Sequence, residues 1–229
     1  MVRAHAIVET CDGENIPIGY LLRRSVLALL LFVAVYAPAF AFAAWLRPSV
    51  EVTIPLIIAV STAIAAICIG LLASLTKGIA EFGVARAPFS YIIAATVAGV
   101  ITGVAFAYIA ALYPAHSPLD LSGLRPWMIV VYFVIAAPIQ EELIFRGLLQ
   151  SMIARGVPLA RTPWATHFPV IFTAALFGII HLDSGIVVAI EAVLLGLVAG
   201  ELRRMSGSLV PAILFHSLLN TASALWPSA

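Results

Sequence analysis

WMIVVYFVIAAPIQEELIFRGLLQSMIA, residues 127–154, is a run of apolar residues long enough to cross a lipid bilayer as one helix. Within this run lie two adjacent carboxylates, Glu141 and Glu142, and a guanidinium, Arg146. Ionisable groups at membrane depth cost about 2.5–3.5 kcal/mol each on the mildest scales, so they are rare there without a partner or a function. The three charges therefore indicate a functional site inside the membrane.

Helical spacing gives the two carboxylates different roles. Glu142 and Arg146 are four residues apart and share one face of a helix, so we predict a buried ion pair between them. Glu141 points about 100° away from Glu142, which leaves it free to face a cavity. Pro138 lacks the N–H that would bond the carbonyl of Val134, so the helix is expected to bend there.

Composition places the chain among integral membrane proteins. Of its 229 residues, 63% are hydrophobic and only 10% are charged, with a mean hydropathy of +1.12. A soluble domain has about 25% charged residues. The net charge of +1 gives no indication of a basic surface for nucleic acid, and Cys11 and Cys68 form no CxxC motif that would support redox or thiolate-metal chemistry.

The apolar runs predict an all-α fold: a polytopic transmembrane bundle of about seven helices around a buried polar site. One helix more or fewer is possible around the fifth and sixth runs, which lie close together. Residues 1–24 are read as a short cytoplasmic tail or interfacial helix, and 25–226 as a single multi-pass membrane domain. The runs are 25–46, 52–75, 89–113, 127–154, 168–182, 185–202 and 208–226.

The arginines and the lysine predict the orientation. With the N-terminus in the cytoplasm, the outer loops carry only Arg47 and Arg125, whereas the remaining loop and tail cations fall inside. The protein is therefore expected in a plasma (inner) membrane. The predicted inner cations are Arg3, Arg23, Arg24, Lys77, Arg86, Arg155, Arg161, Arg203 and Arg204.

Two pairs of glycines predict close helix packing. Gly99 and Gly103, and again Gly196 and Gly200, are four residues apart, a spacing that lets helix backbones approach each other.

Two further pairs of residues carry polar side chains into the apolar runs. Phe177 and His181 share one helix face, and so do His216 and Asn220. Each pair alone is consistent with ordinary helix packing. Measured from the inner helix ends, however, Glu141 and His181 lie about 20 Å deep, and His216 and Asn220 about 12 and 18 Å deep. Four polar groups from three helices thus occupy one layer of the membrane.

Three motifs, Glu-Glu-x-x-x-Arg at 141–146, Phe-x-x-x-His at 177–181 and His-x-x-x-Asn at 216–220, follow one another on successive helices. In this order they resemble the CPBP (CAAX protease and bacteriocin-processing, or Abi) family of intramembrane proteases, which includes the type II CAAX prenyl endopeptidases. The resemblance covers about residues 127–222, with no departure at the key positions. The first three predicted helices carry none of it.

The resemblance implies a role for each motif residue. Glu141 would be the general base, and His181 would help to hold and activate the water. His216 and Asn220 would stabilise the oxyanion of the tetrahedral intermediate. Glu142 and Arg146 would hold the helices in register, with Phe177 forming a wall beside His181.

The same residues raise the question of a metal. Glu141, His181 and His216 make a His₂Glu set, which matches some catalytic zinc sites, and the family is commonly labelled a metalloprotease. Zinc would occupy Glu141 while Glu142 is paired with Arg146, which leaves no carboxylate as a base. A metal-free mechanism that requires no cofactor is therefore preferred, with zinc as the alternative.

The expected partners are the lipid bilayer and a peptide or protein substrate at the membrane. Both a prenylated CAAX tail and a bacteriocin-type peptide fit the resemblance. Two other classes of function stay open. The polar layer of a transporter or channel would be an ion path, although the paired broken helices of inverted repeats are missing. In a non-enzymatic scaffold or immunity protein, the same residues would only join helices.

Overall fold

A computed structural model describes residues 18–46, 49–112, 124–155 and 163–225. Within these ranges the chain is all-α, with seven helices and two short 3₁₀ turns, as the sequence predicts. The helices are α1 Ile18–Leu46, α2 Val50–Ser74, α3 Phe89–Leu112, α4 Pro126–Ala154, α5 Pro163–Ile179, α6 Ile186–Ser206 and α7 Val210–Leu225.

Helix boundaries differ from the apolar runs where polar residues are helical. Helix α1 begins at Ile18 rather than at residue 25, and its first turns include Tyr20 and Arg24. The Tyr20 hydroxyl donates to the carbonyl of Arg155 at 2.6 Å, so this polar end is held by the end of α4. Residues 1–17 of the predicted tail lie outside the described residues, and the domain boundaries stay predictions.

Four of these helices are long and apolar enough to cross a membrane, so the chain is a multi-pass membrane protein. They are α1, α2, α3 and α4, counted over the described ranges. Helices α5 and α7 contain shorter apolar stretches, Thr166–Ile179 and Val210–Ala222. Helix α6 has 21 residues, but Glu191, Glu201, Arg203 and Arg204 lower its hydropathy. Each of the seven apolar runs forms a helix, and four of the seven helices qualify as candidate membrane spans by length and composition.

The predicted close packing at both glycine pairs is present. A Cβ on Gly99 would lie 3.0 Å from the carbonyl oxygen of Phe215, and one on Gly103 would lie 3.0 Å from the Cα of Leu219. On α6, a Cβ on Gly196 would lie 2.8 Å from the Cα of Ala174. The glycines therefore let α3 approach α7, and α6 approach α5, more closely than a side chain would allow.

The α2–α3 connection docks against the turn between α6 and α7. The backbone N–H of Leu209 donates to the Gly83 carbonyl at 2.9 Å, and the Ser208 hydroxyl donates to Ala85 at 2.6 Å. Gly83 has φ +84°, which suits glycine at this turn. The guanidinium of Arg203 also donates to the Glu81 carbonyl at 2.8 Å. These contacts hold several of the cationic segments at one end of the bundle.

Candidate active site

Helix α4, which carries the acidic motif, is not a regular α-helix. Its motif segment Ala137–Glu142 is α-helical, but it lies between two π-helical segments, Val130–Ala136 and Leu143–Leu149. Wider π-helical turns are rare and occur frequently at functional sites. They change the direction in which neighbouring side chains point, so they help to set the geometry of the motif.

The effect of Pro138 falls on a different carbonyl from the predicted one. α-Helical spacing assigns the lost bond to Val134. In the π-helical segment the bonds span five residues, as shown by Ala137 N–H donating to the Tyr132 carbonyl. The next bond in this register would join Phe133 to Pro138, which has no N–H. The Asn220 amide nitrogen donates to the Phe133 carbonyl instead, at 2.8 Å.

The predicted ion pair between Glu142 and Arg146 is present and completely buried. Oε1 of Glu142 lies 2.9 Å from Nη1 of Arg146, and both side chains are 0% exposed. The same Oε1 lies 2.9 Å from Nδ1 of His216, a contact between α4 and α7 that the sequence does not predict. The guanidinium also lies over the ring of Phe177, with 5.0 Å between Cζ and the ring centroid.

Small residues make room for this pair. A Cβ on Gly196 would approach Nη2 of Arg146 to 3.2 Å, so α6 passes close to the guanidinium. The pair is not fully satisfied by the described residues: Oε2 of Glu142 and both Nε and Nη2 of Arg146 have no hydrogen-bond partner there. Such buried unpaired atoms are costly, which makes the cluster sensitive to any change of charge.

Glu141 faces the second nitrogen of the same histidine. Its Oε2 lies 3.6 Å from Nε2 of His216, and the Glu141 side chain is 19% exposed, against 0% for Glu142. Glu141 is thus more exposed than Glu142, and the cavity that it is predicted to face stays a prediction. The two carboxylates thus approach opposite nitrogens of one imidazole, Glu142 at Nδ1 and Glu141 at Nε2.

His181 lies at the end of α5, with one ring nitrogen committed. Its Nδ1 is 2.7 Å from the carbonyl of Phe177, which can only accept, so Nδ1 carries a proton, and Nε2 has no hydrogen-bond partner among the described residues. The Phe177 ring lies 4.6 Å from the His181 ring and 5.9 Å from the His216 ring, measured between centroids. Phe177 thus forms the predicted wall, and it contacts both histidines.

The structure brings Glu141, Glu142, Arg146, Phe177 and His216 into one cluster, with His181 against the Phe177 ring. Asn220 contacts α4 at the Phe133 carbonyl, and among the described residues no hydrogen bond joins it to the cluster itself. One of its two amide protons is engaged there, which leaves one for another acceptor.

Glu141, His181 and His216 do not meet as a three-ligand metal site. Within the described residues, no three His, Cys, Asp or Glu side chains are grouped to hold a metal ion. Nδ1 of His216 is bound to Glu142, and Nδ1 of His181 is bound to the Phe177 carbonyl. Such Nδ1 bonds are also typical of metal-bound histidines, so they do not argue against zinc; the described side chains do not fit it because they are not grouped as three ligands.

Three further polar residues, Gln140, Ser61 and Tyr36, border the motif and are missed by sequence reasoning. Nε2 of Gln140 lies 2.8 Å from the Ser61 hydroxyl on α2 and 3.2 Å from the Tyr36 hydroxyl on α1. A polar residue directly before Glu141 in an apolar run is the one available signal. Its partners lie 79 and 104 residues away, so only the fold reveals them.

Comparison with known families decides the assignment of this segment. Residues 123–222 match the model of the type II CAAX prenyl endopeptidase Rce1-like family. This segment belongs to that family. The Rce1-like domain contains every residue of the three motifs, and α1, α2 and α3 lie outside it. No curated protein and no solved structure matches the chain.

The coupling between Pro138 and Asn220 leads to a first prediction. Pro138→Ala gives the Phe133 carbonyl a backbone N–H, which would compete with the Asn220 amide. We expect equal or greater stability, because a helical proline is removed. Turnover should fall by up to about 10²-fold if the Asn220 side chain is released. Thermal unfolding and turnover of the purified variant measure both effects.

Pro55→Ala provides the control, because Pro55 also lies inside a helix, on α2. It should leave turnover unchanged. Undiminished turnover in Pro138→Ala would show that the Asn220–Phe133 bond has no part in activity.

Proposed function

We propose that this protein is an intramembrane endopeptidase that cleaves a peptide bond close to a membrane anchor, from the cytoplasmic side. The observation that carries the proposal is the Glu141–His216 contact. A partly exposed carboxylate lies 3.6 Å from an imidazole on a neighbouring helix, inside an Rce1-like domain. Family membership indicates a peptidase with protein substrates; the mechanism, substrate and orientation are proposals.

The proposed reaction begins with a water held between Glu141 and His181. The free Nε2 of His181 accepts a hydrogen bond from the water, while the Glu141 carboxylate takes its other proton. The hydroxide oxygen then bonds to the scissile carbonyl carbon. When the tetrahedral intermediate collapses, the C–N bond breaks and Glu141 returns the proton to the leaving amine nitrogen.

The developing oxyanion is stabilised by His216 and Asn220. Nε2 of His216 donates a proton to the oxyanion, and Asn220 donates the amide proton not bound to Phe133. His216 is held for this task by its 2.9 Å contact with Glu142, and Asn220 by its 2.8 Å bond to the Phe133 carbonyl. Glu142 therefore supports the oxyanion site as well as the ion pair with Arg146.

The proposed substrate is a peptide whose scissile bond is held near the bilayer by a lipid group or an apolar segment. A prenylated C-terminal peptide is the form that the family description favours, and an unprenylated bacteriocin-type peptide is the second.

The orientation proposed from the cations places the N-terminus in the cytoplasm. The contacts that join Tyr20 to Arg155 and Arg203 to Glu81 support it, since these segments share one end of the bundle.

Cleavage by the purified protein in liposomes tests this function. The substrates are matched peptides with and without a prenyl group on the same cysteine, and products are identified by mass spectrometry. We expect cleavage by the parent and at least about 10³-fold slower cleavage by Glu141→Gln. Equal cleavage of both peptides would show that the prenyl group is not recognised. Equal cleavage by both proteins would refute the proposed mechanism.

Metal removal provides an independent prediction. Because zinc at Glu141 would leave no free carboxylate as the base, protein stripped by a strong chelator should keep its turnover within about twofold. Metal content is measured by mass spectrometry on the same sample. Activity that disappears on chelation and returns with stoichiometric Zn²⁺, but not with Mg²⁺, would contradict the metal-free mechanism.

A further inference from the structure

Helix α1 lies outside the Rce1-like domain, yet it contributes to the wall of the site. The rings of Tyr36 and Phe32 lie 4.9 Å apart, and Phe32 lies 5.8 Å from Phe145 on α4. Phe145 in turn lies 4.8 Å from Phe177. A continuous set of aromatic contacts thus connects α1 with the ring that borders both histidines.

The hydrogen bonds around Gln140 determine where the Tyr36 proton can point. The Ser61 hydroxyl donates its only proton to a carbonyl of its own helix, Ile57 at 2.6 Å, so it must accept from Gln140. This turns the Gln140 amide nitrogen towards Ser61. The same nitrogen lies 3.2 Å from the Tyr36 hydroxyl, which therefore also accepts.

The phenolic proton of Tyr36 is consequently not used by Gln140. Among the described residues, the Tyr36 hydroxyl proton has no hydrogen-bond acceptor. Gln140 directly precedes Glu141 on α4, so the Tyr36 hydroxyl is fixed beside the residue next to the proposed base. A hydroxyl whose oxygen is fixed and whose proton is free is suited to donate to a nearby carboxylate.

We propose that Tyr36 is a positioning residue for Glu141: its hydroxyl, fixed by Gln140, donates to the Glu141 carboxylate and orients it towards the attacking water. This inference rests on the proposed function and extends it to a residue outside the family domain. The Tyr36 hydroxyl reaches the carboxylate either directly, after the Glu141 side chain rotates, or through one bridging water.

Tyr36→Phe keeps the aromatic ring and removes only the hydroxyl. We expect kcat to fall by about 10- to 100-fold, since a hydrogen bond to a charged group is lost, and KM to stay unchanged. In a Glu141→Gln background the same change should have no further effect. Turnover is measured per folded molecule in liposomes with the prenylated peptide.

Two control variants separate positioning from structural support. Tyr20→Phe, on the same helix, removes a hydroxyl that donates to the Arg155 carbonyl, and it should leave kcat unchanged. Ser61→Ala removes the shorter of the two Gln140 bonds and should lower kcat less than Tyr36→Phe does. An equal loss in Ser61→Ala and Tyr36→Phe would mean that Tyr36 acts only by holding Gln140, which overturns the inference.

The outcomes also distinguish this inference from the proposed function. If Glu141→Gln abolishes cleavage and Tyr36→Phe leaves kcat intact, only the role of Tyr36 fails. If Glu141→Gln cleaves at the parental rate, both fail. Infrared spectroscopy gives a readout that needs no substrate: the carboxyl band that disappears in Glu141→Gln should shift in Tyr36→Phe and not in Tyr20→Phe. An unshifted band overturns the inference.

Discussion

Glu141→Gln should lower kcat by at least about 10³-fold, while the folded fraction and KM stay close to those of the parent. Glutamine keeps the size of the side chain but cannot take a proton from water. The substitution also disturbs little of the packing, because Glu141 is partly exposed and its closest charged contact is 3.6 Å long. Single-turnover kinetics and size-exclusion chromatography measure the two quantities.

His216→Asn is the informative second change. An asparagine nitrogen takes the place of Nδ1 and can still donate to Glu142, whereas Nε2 and its proton are lost. His216→Ala would instead leave the buried Glu142 oxygen with one partner fewer. We expect His216→Asn to lower kcat by about 10²–10³-fold. The double variant should lose much less than the product of the single losses, since both residues serve one transition state.

Glu51→Gln, an exposed position at the start of α2, is the matched control and should behave as the parent does. If the polar residues only joined helices, stability would fall and turnover per folded molecule would stay constant. Parental turnover in Glu141→Gln would therefore exclude the protease mechanism proposed here.

The helices were predictable because an apolar run must form its hydrogen bonds internally in a bilayer. Seven runs gave seven helices in the described ranges. The boundaries were less predictable, because hydropathy reports burial in lipid rather than helix formation. Helix α1 therefore starts before its apolar run, where the Tyr20 hydroxyl contacts the end of α4.

The candidate site was predictable where one helix contains both partners. The Glu142–Arg146 pair follows from a spacing of four residues, and so does the contact between Phe177 and His181. Contacts between helices were not predictable. The bonds from His216 to Glu142 and from Gln140 to Tyr36 depend on which helices become neighbours.

The π-helical segments of α4 could not be predicted from the sequence, for a different reason. A π-helical turn is less stable than an α-helical one, so local sequence propensity does not predict it. Tertiary contacts decide where it forms. Pro138 was visible, but the carbonyl that it leaves free depends on whether bonds span four or five residues. The partnership between Phe133 and Asn220 therefore emerged only from the fold.

The buried pair should give the largest loss of stability. Glu142→Ala leaves the guanidinium of Arg146 in a fully buried place and also removes the acceptor of His216 Nδ1. Breaking a buried pair by removing one partner costs about 3–5 kcal/mol. We expect Glu142→Ala to be worse than Arg146→Ala, because in the latter Glu142 keeps His216 as its partner. Folded yield and thermal unfolding in detergent provide the measurement.

Removing both charges should recover part of the loss. In Glu142→Gln with Arg146→Met no buried charge is left unpaired, the introduced glutamine can still accept from His216, and methionine fills part of the volume of the arginine. The pair between Glu201 and Arg204 on α6 is the matched control, because its side chains are 31% and 30% exposed. Glu201→Ala should cost at most about 1 kcal/mol. If Glu142→Ala and Arg146→Ala both unfold like the parent, Glu142 is not a structural residue, and its contact with His216 would have to serve the chemistry instead.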